Sequence, residues 1–321
     1  MPSRYMQPLR MLIQYVFFGY MAWLSIDFYR FVEKVRSGVD GVKPTGIEGF
    51  LPISGLLGAT SWAKNGVLNT IHPAAVVLFL TIVTLSLLLR RAFCSWICPV
   101  ATLSEFLWKI GFRVTKRKVP VSRMIDVPLR CVKYLLLVLF LWLIVGTMSP
   151  SALVDFIQSD YHKIADVRLM NFFLHISPFT SALLLILVVV STVLRNPFCR
   201  YLCPYGALLG LVSLLSPLRV TRHPDRCISC GGCSQACPSH IDVMHAVTVN
   251  DPECIGCWRC VSHCRYNSSL TMGVAGRLSI SGVFFAILVI LIFWGGTETG
   301  VFCGHWYSSL TVQDYVYLLN K

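Results

Sequence analysis

Residues 227–264 read CISCGGCSQACPSHIDVMHAVTVNDPECIGCWRCVSHC, and eight of these 38 positions are cysteine. They form two near-copies of one spacing, C-x2-C-x2-C-x3-C: Cys227, Cys230, Cys233 and Cys237, then Cys254, Cys257, Cys260 and Cys264. Thiolate is the soft donor that iron–sulfur clusters and zinc both take. Zinc ribbons, however, set two C-x2-C pairs on either side of a longer spacer, whereas a third cysteine follows at once in each run here. A disulfide framework would need an oxidising compartment and would not demand a repeated spacing. The pattern favours iron–sulfur chemistry.

This is the spacing of bacterial two-cluster ferredoxins, in which the first three cysteines of a run ligate one cluster and the fourth crosses to the other. The expected ligand sets are Cys227, Cys230, Cys233 and Cys264 for one cluster, and Cys254, Cys257, Cys260 and Cys237 for the second. Pro238 follows Cys237 as in that motif, while Arg265 stands at the corresponding place after Cys264.

Outward from this stretch the chain changes character. Of 321 residues, 55% are hydrophobic and only 13% charged, about half the charged share of a soluble domain. Five long apolar stretches are candidate spans: 11–29, 73–89, 131–148, 178–194 and 278–294. At about 1.5 Å per residue each is near the lower length limit for crossing a bilayer. No short apolar core ending in a small-residue cleavage site marks the first as a signal peptide.

Basic residues set the expected orientation, because Lys- and Arg-rich loops stay cytoplasmic. Segments 1–10, 90–133 and 195–277 hold 20 of the 28 Lys and Arg residues. The cysteine-rich segment and the N-terminus are therefore expected inside and the C-terminus outside, in a multi-pass protein of a bacterial-type inner membrane. The net charge of +13 then reads as topology, with no need of a nucleic-acid partner. RVTKRKVPVSR, residues 113–123, reads as an anchor at the membrane surface or a contact for anionic lipid.

The chain also repeats itself. A shift of 105 lays HPAAVVLFLTIVTLSLLLRRAFCSWICPV (72–100) on SPFTSALLLILVVVSTVLRNPFCRYLCPY (177–205), matching Arg90 with Arg195, Cys94 with Cys199, Cys98 with Cys203 and Pro99 with Pro204. A shift of 120 lays Pro8-Leu9-Arg10 on Pro128-Leu129-Arg130. Each half is a two-helix hairpin ending in C-x3-C-P, and two spans per unit keep both sites on one side. The proline suits the first turn of a following helix, so Cys98 and Cys203 are expected at helix N-termini. That position, with Arg90, Arg91, Arg195 and Arg200 nearby, is expected to favour thiolate. The four cysteines are a candidate redox or metal site for an iron–sulfur centre, for a soft metal such as Cu(I), or for redox-active thiols. The bland alternative is buried cysteine packing.

The expected architecture is thus a membrane all-α protein: a pseudo-twofold four-helix bundle and a fifth span, with an inserted two-cluster ferredoxin-like α+β domain on the cytoplasmic side. Its boundaries read as 1–114 and 115–220 for the two membrane repeats, 221–270 for the ferredoxin part, and 271–321 for the fifth span and tail.

Smaller features carry alternatives. His72 and His175 precede the second span of each half and read as polar caps or as ligands to a haem or quinol headgroup. No histidine lies inside any of the five segments, which argues against a haem-carrying bundle. Glu48 is either a solvated loop residue or a proton acceptor for quinol oxidation. Cys303 and His305 are two ligand types without a site around them, and Cys131 reads as packing or lipid-facing. Trp23, Tyr29 and Trp294 read as interfacial anchors. Phosphate-loop and nucleophile–base motifs are missing, so NAD, ATP and hydrolase readings lack support.

Paired C-x3-C-P motifs followed by the two-cluster run resemble the NapH-like polyferredoxin family, with its NapH, NosR and CcoG groups, over roughly residues 8–270. KPTGIEGFLPISGL, residues 43–56, is also similar to a segment of such proteins. The resemblance implies two 4Fe-4S clusters and electron transfer between the quinol pool or a cytoplasmic donor and a partner redox enzyme. It makes the chain a candidate quinol dehydrogenase or oxidoreductase subunit. The alternative is a metal reductase or maturation factor that handles copper for a respiratory enzyme. With 27 residues after Trp294, no length is seen for the flavin domain of the NosR group or the extracytoplasmic domain of the CcoG group. The nitrate-reduction members generally end near the ferredoxin part, so the resemblance assigns no role to the fifth span or to Phe302–Trp306.

Overall fold

The computed structural model describes residues 5–39, 41–116, 122–264, 269–274 and 278–319. Arg265 and the middle of the basic segment, 117–121, lie outside the described residues. Helices dominate: α1 (Met6–Arg36), α2 (Pro52–Asn65), α3 (Pro73–Leu89), α4 (Ala92–Trp96), α5 (Pro99–Thr115), α6 (Arg123–Leu141), α7 (Pro150–Gln158), α8 (Asp160–Lys163), α9 (Ala165–Leu174), α10 (Pro178–Val193) and α11 (Pro204–Ser213). Then follow β1 (Leu218–Arg222), α12 (Gly232–Ala236), β2 (Thr248–Val249), α13 (Arg259–His263), β3 (Leu270–Val274), β4 (Leu278–Ser279), α14 (Gly282–Phe302) and α15 (Val312–Leu319).

Among the described residues, three helices are long and apolar enough to cross a membrane: Met6–Arg36, Met124–Thr147 and Gly282–Phe302. The third begins later and ends later than the apolar run at 278–294, because Leu278 and Ser279 are used in β4, paired with Val274 and Gly273. The stretch 178–194 forms the second arm of a pair, α9 and α10, bent by 80°. Pro178 explains the break, since the residue before proline is driven out of helical geometry. The stretch 73–89 is a 17-residue apolar helix. Leu135, Val138 and Leu139 on α6 and Leu185, Ile186 and Val189 on α10 are all exposed, an apolar surface that suits lipid and not water. Trp23, Tyr29 and Trp294 are exposed as well. The protein is a membrane protein.

The chain divides into two compact units. One comprises 1–18, 83–137 and 184–292; the other comprises 19–82, 138–183 and 293–321. The chain passes from one to the other five times, each time inside one of the five apolar stretches.

In the first unit the sheet is antiparallel in the order β2-β1-β3-β4, with Val220 opposite both Val249 and Met272. The two cysteine runs repeat their backbone at a shift of 27. Ser229 and Gly256 have φ of 54° and 58°, and Gly231 and Trp258 have 70° and 60°. Each pair of left-handed residues turns the chain into a five-residue helix, α12 or α13, which carries the third cysteine of its run. Gly256 alone must be glycine for a second reason, because a Cβ there would lie 3.2 Å from the Leu89 carbonyl.

The second unit has a core of Leu24, Phe28, Phe31 and Val32 from α1, with Ile47, Ile164, Val167 and Tyr315 around them. Phe31 meets the Tyr315 ring edge-on at 5.6 Å. A smaller cluster of Leu57, Ile144 and Leu153 joins α2 to α7.

Candidate functional site

The ferredoxin cysteines line two cavities. Cys237, Cys254, Cys257 and Cys260 share one, walled by Val220, Val249, Met272 and Trp258. Cys227, Cys230, Cys233 and Cys264 share the other, beside exposed Ile228. Four thiols lining one pocket are the donor set a 4Fe-4S cluster takes, and the apolar walls of the first would shield it from water. Desolvation pushes the Cys237 thiol up to about 12, with the Cys257 sulfur adding to the effect.

Both C-x3-C-P corners hold the loops of the first cavity. Between Cys94 and Cys98, the Ser95 hydroxyl donates to the Ile255 carbonyl at 2.5 Å and Trp96 Nε1 donates to the Gly256 carbonyl at 3.1 Å. Arg90 donates to the carbonyls of Leu218, Ser213 and Val249. In the second repeat Arg195 donates to the Ala236 carbonyl and Arg200 to the Pro238 carbonyl, on either side of Cys237. From the N-terminus, Gln7 Nε2 reaches the Cys257 carbonyl at 3.1 Å.

Buried charges lock this arrangement. Glu253, immediately before Cys254, accepts from Lys133 Nζ at 2.5 and 2.7 Å, from the Tyr134 hydroxyl at 3.0 Å and from Arg91 Nη1 at 3.3 Å. Burial works against the charge, but Arg91 and Lys133 hold the Glu253 carboxyl below the usual carboxylate range. Arg10 makes a two-pronged bond to Glu105, which also pairs with Arg259 beside Cys260. Asp126 takes both Arg200 and the Tyr201 hydroxyl. None of these carboxylates stood out in the sequence, because an isolated Asp or Glu looks like a surface residue until its partners are placed.

Cys98 and Cys203 both precede a proline at the first position of a helix, and the Cys203 sulfur accepts from the Gly206 amide at 3.2 Å. The expectation that this position and the nearby arginines favour thiolate is not met by the protein groups alone. Desolvation outweighs the helix amides: it pushes the Cys98 thiol up to about 12, and Cys199 and Cys203 also upward. Among the described residues, no group of three or more His, Cys, Asp or Glu is close enough to hold a single metal ion.

In the second unit Glu48 is buried beside His72, with Glu48 Oε1 3.3 Å from His72 Nδ1 and 3.2 Å from Lys43 Nζ. Lys43 continues to Asp166 at 3.0 Å, and the Tyr315 hydroxyl donates to the same carboxylate at 2.8 Å. His72 Nε2 lies 2.9 Å from the carbonyl of His162, whose own ring faces Ser54 and Asn69. Burial, with His72 nearby, lowers His162 to about 4, so its ring is neutral at physiological pH. His175 sits exposed at the C-terminal end of α9 and does not join this group. Lys43 belongs to the KPTGIEGF stretch; His162, Asp166 and Tyr315 carried no sequence signal. Cys131, Cys303 and His305 are exposed.

Comparison with known proteins places this geometry. A family model described as a 4Fe-4S binding domain matches residues 71–120 and 176–222, one match per repeat, and a 4Fe-4S dicluster domain matches 219–265. The candidate electron transport protein YccM of Escherichia coli is 37% identical over 93% of this chain and 86% of its own length. The chain belongs to the NapH-like polyferredoxin family. Within that family the ferredoxin-type protein NapH of E. coli is 29% identical, over 54% of this chain and 59% of its own. The methylamine utilization ferredoxin-type protein MauN of Paracoccus denitrificans is also 29% identical, over 46% of this chain and 48% of its own. No solved structure matches the chain. As in the family, the prosthetic groups are 4Fe-4S clusters.

Proposed function

We propose that the protein carries electrons at the inner membrane between the quinol pool, or a cytoplasmic donor, and a partner redox enzyme. Each ferredoxin cavity holds one 4Fe-4S cluster, ligated by the four cysteines that line it. The observation that carries this reading is the seating of the Cys254–Cys257 and Cys237 loops on both C-x3-C-P corners. It joins the Cys237, Cys254, Cys257 and Cys260 quartet to the C-x3-C-P corners, while Cys230 of the other quartet is exposed. When bound, the clusters accept and donate single electrons. The charge distribution supports a cytoplasmic ferredoxin part, a C-terminus outside, and five spans grouped as two repeats and a fifth helix.

A quinol gives up two protons with its two electrons, so a quinol-oxidising protein needs a proton acceptor as well as an electron acceptor. Glu48 and His72, buried 3.3 Å apart and linked through Lys43 to Asp166, suit that role. No observation favours the copper-handling alternative.

Membranes containing the protein, mixed with a soluble quinol under anaerobic conditions, test the reading by electron paramagnetic resonance. Cluster reduction is expected, and Glu48→Gln is expected to slow it by about 10²-fold or more while dithionite still reduces the clusters. Clusters that dithionite reduces but quinol leaves oxidised in the unaltered protein would rule out the quinol donor.

A further inference from the structure

Beside the Cys237, Cys254, Cys257 and Cys260 quartet lies a second, polar pocket in which cations outnumber anions. Arg10, Arg195 and Arg259 line it together with Glu105, Trp108 and Cys257. Its carboxylate is already shared: Arg10 grips both oxygens of Glu105, Arg259 Nη2 lies 2.5 Å from Oε1, and Lys109 Nζ lies 3.3 Å from the same atom. One negative charge therefore answers several positive ones.

Arg195 is held by other means. Its Nη1 donates to the Ala236 carbonyl at 3.4 Å, and its guanidinium stacks over the Trp108 ring, 3.8 Å from the centroid. Its counterpart in the first repeat has a different task, for Arg90 donates to the carbonyls of Leu218, Ser213 and Val249. Burial and the nearby Arg259 charge pull the Arg195 guanidinium down to about 10, so it still carries its charge at neutral pH.

That charge stands next to one quartet. Ala236 immediately precedes Cys237, and Cys257 lines the same pocket as the guanidinium. On its other side the quartet is walled by Val220, Val249, Met272 and Trp258. A charge acts more strongly through such apolar surroundings than through water. A 4Fe-4S cluster on four thiolates is an anion that gains one negative charge with each electron it accepts, and nearby charge is one of the levers on its reduction potential.

We propose that Arg195, backed by Arg259, is the countercharge that favours the reduced form of the cluster held by Cys237, Cys254, Cys257 and Cys260, raising its reduction potential selectively. Arg195 ligates nothing and acts through the field it sets at the quartet. The two clusters are thereby weighted toward keeping their electron beside the C-x3-C-P corners.

The inference rests on the two-cluster reading, and the test separates the two. Full-length protein, purified anaerobically in detergent, is reduced stepwise with dithionite at known potentials and followed by electron paramagnetic resonance. In Arg195→Gln one midpoint is expected to fall by at least a tenfold change in the ratio of reduced to oxidised cluster, about 59 mV for a one-electron couple. The other midpoint and the iron content are expected to stay as in the unaltered protein. Arg195→Lys, which keeps the charge, is expected to hold the midpoint. A residue that only braced the fold would change stability and leave every midpoint in place. Unmoved midpoints in Arg195→Gln, an equal fall in both, or a fall in Arg195→Lys as large as in Arg195→Gln would overturn the inference and leave the two-cluster reading standing. Unaltered protein without iron would overturn both. If Arg195→Gln does not retain its clusters, Arg259→Gln decides in the same titration: a fall in one midpoint supports the proposal, and unchanged midpoints overturn it.

Discussion

Glu253 shows how much rests on single buried charges. Its carboxylate is 5% exposed and receives Lys133, Arg91 and Tyr134, which tie α6 and the first C-x3-C-P corner to the residue beside Cys254. Removing one partner of a buried ionic group leaves the others uncompensated, at about 3–5 kcal/mol. Glu253→Gln keeps the shape but strands Lys133 and Arg91, so the melting temperature in detergent should fall markedly and the cluster absorption should be lost on the same ramp. An unchanged melting curve would mean that the network is not stabilising. At this scale the sequence was only partly legible. The cysteines announce themselves by spacing, and Glu48 and His72 by standing polar among apolar neighbours. Lys43, the His162–Asp166 stretch and Tyr315 are brought together from three distant parts of the chain, so no local pattern could group them.

At the scale of elements, proline and glycine carry most of the information. Pro99 and Pro204 start helices immediately after Cys98 and Cys203, as the C-x3-C-P spacing implies. Pro178 breaks α9 from α10 by 80°, a consequence readable from the same chemistry but hidden by the apolar run around it. The fifth apolar stretch was displaced because β4 takes its first residues, and strand pairing is a tertiary fact. Within α14, Gly296 and Gly300 form a G-x-x-x-G pair against α3: a Cβ on Gly296 would run into Thr81, and one on Gly300 would lie 2.6 Å from Val77. Small residues at four-residue spacing let membrane helices approach closely. Gly296→Leu should therefore separate α14 from α3, seen as faster proteolysis of the C-terminal tail in intact membranes. Cleavage at the unaltered rate would argue against this helix contact.

For the whole molecule, two independent regularities agree. The charge count divides the loops into a basic set and a poor one, and the five passages between the compact units fall inside the five apolar stretches. The family models match the two repeats at starting positions 105 residues apart, the same shift that superposes their cysteines. What the sequence could not give is the seating of the ferredoxin loops on the repeat corners, which depends on Ser95, Trp96, Arg90 and Arg200 reaching backbone carbonyls far away in the chain. That contact holds the loops of the two-cluster run against the C-x3-C-P corners. The most direct test is the metal content and redox spectrum of the anaerobically purified, full-length protein. Iron with matching acid-labile sulfide, and a broad visible absorption that bleaches on reduction and returns on oxidation, are predicted. Zinc in place of iron, with no reducible absorption, would contradict the account.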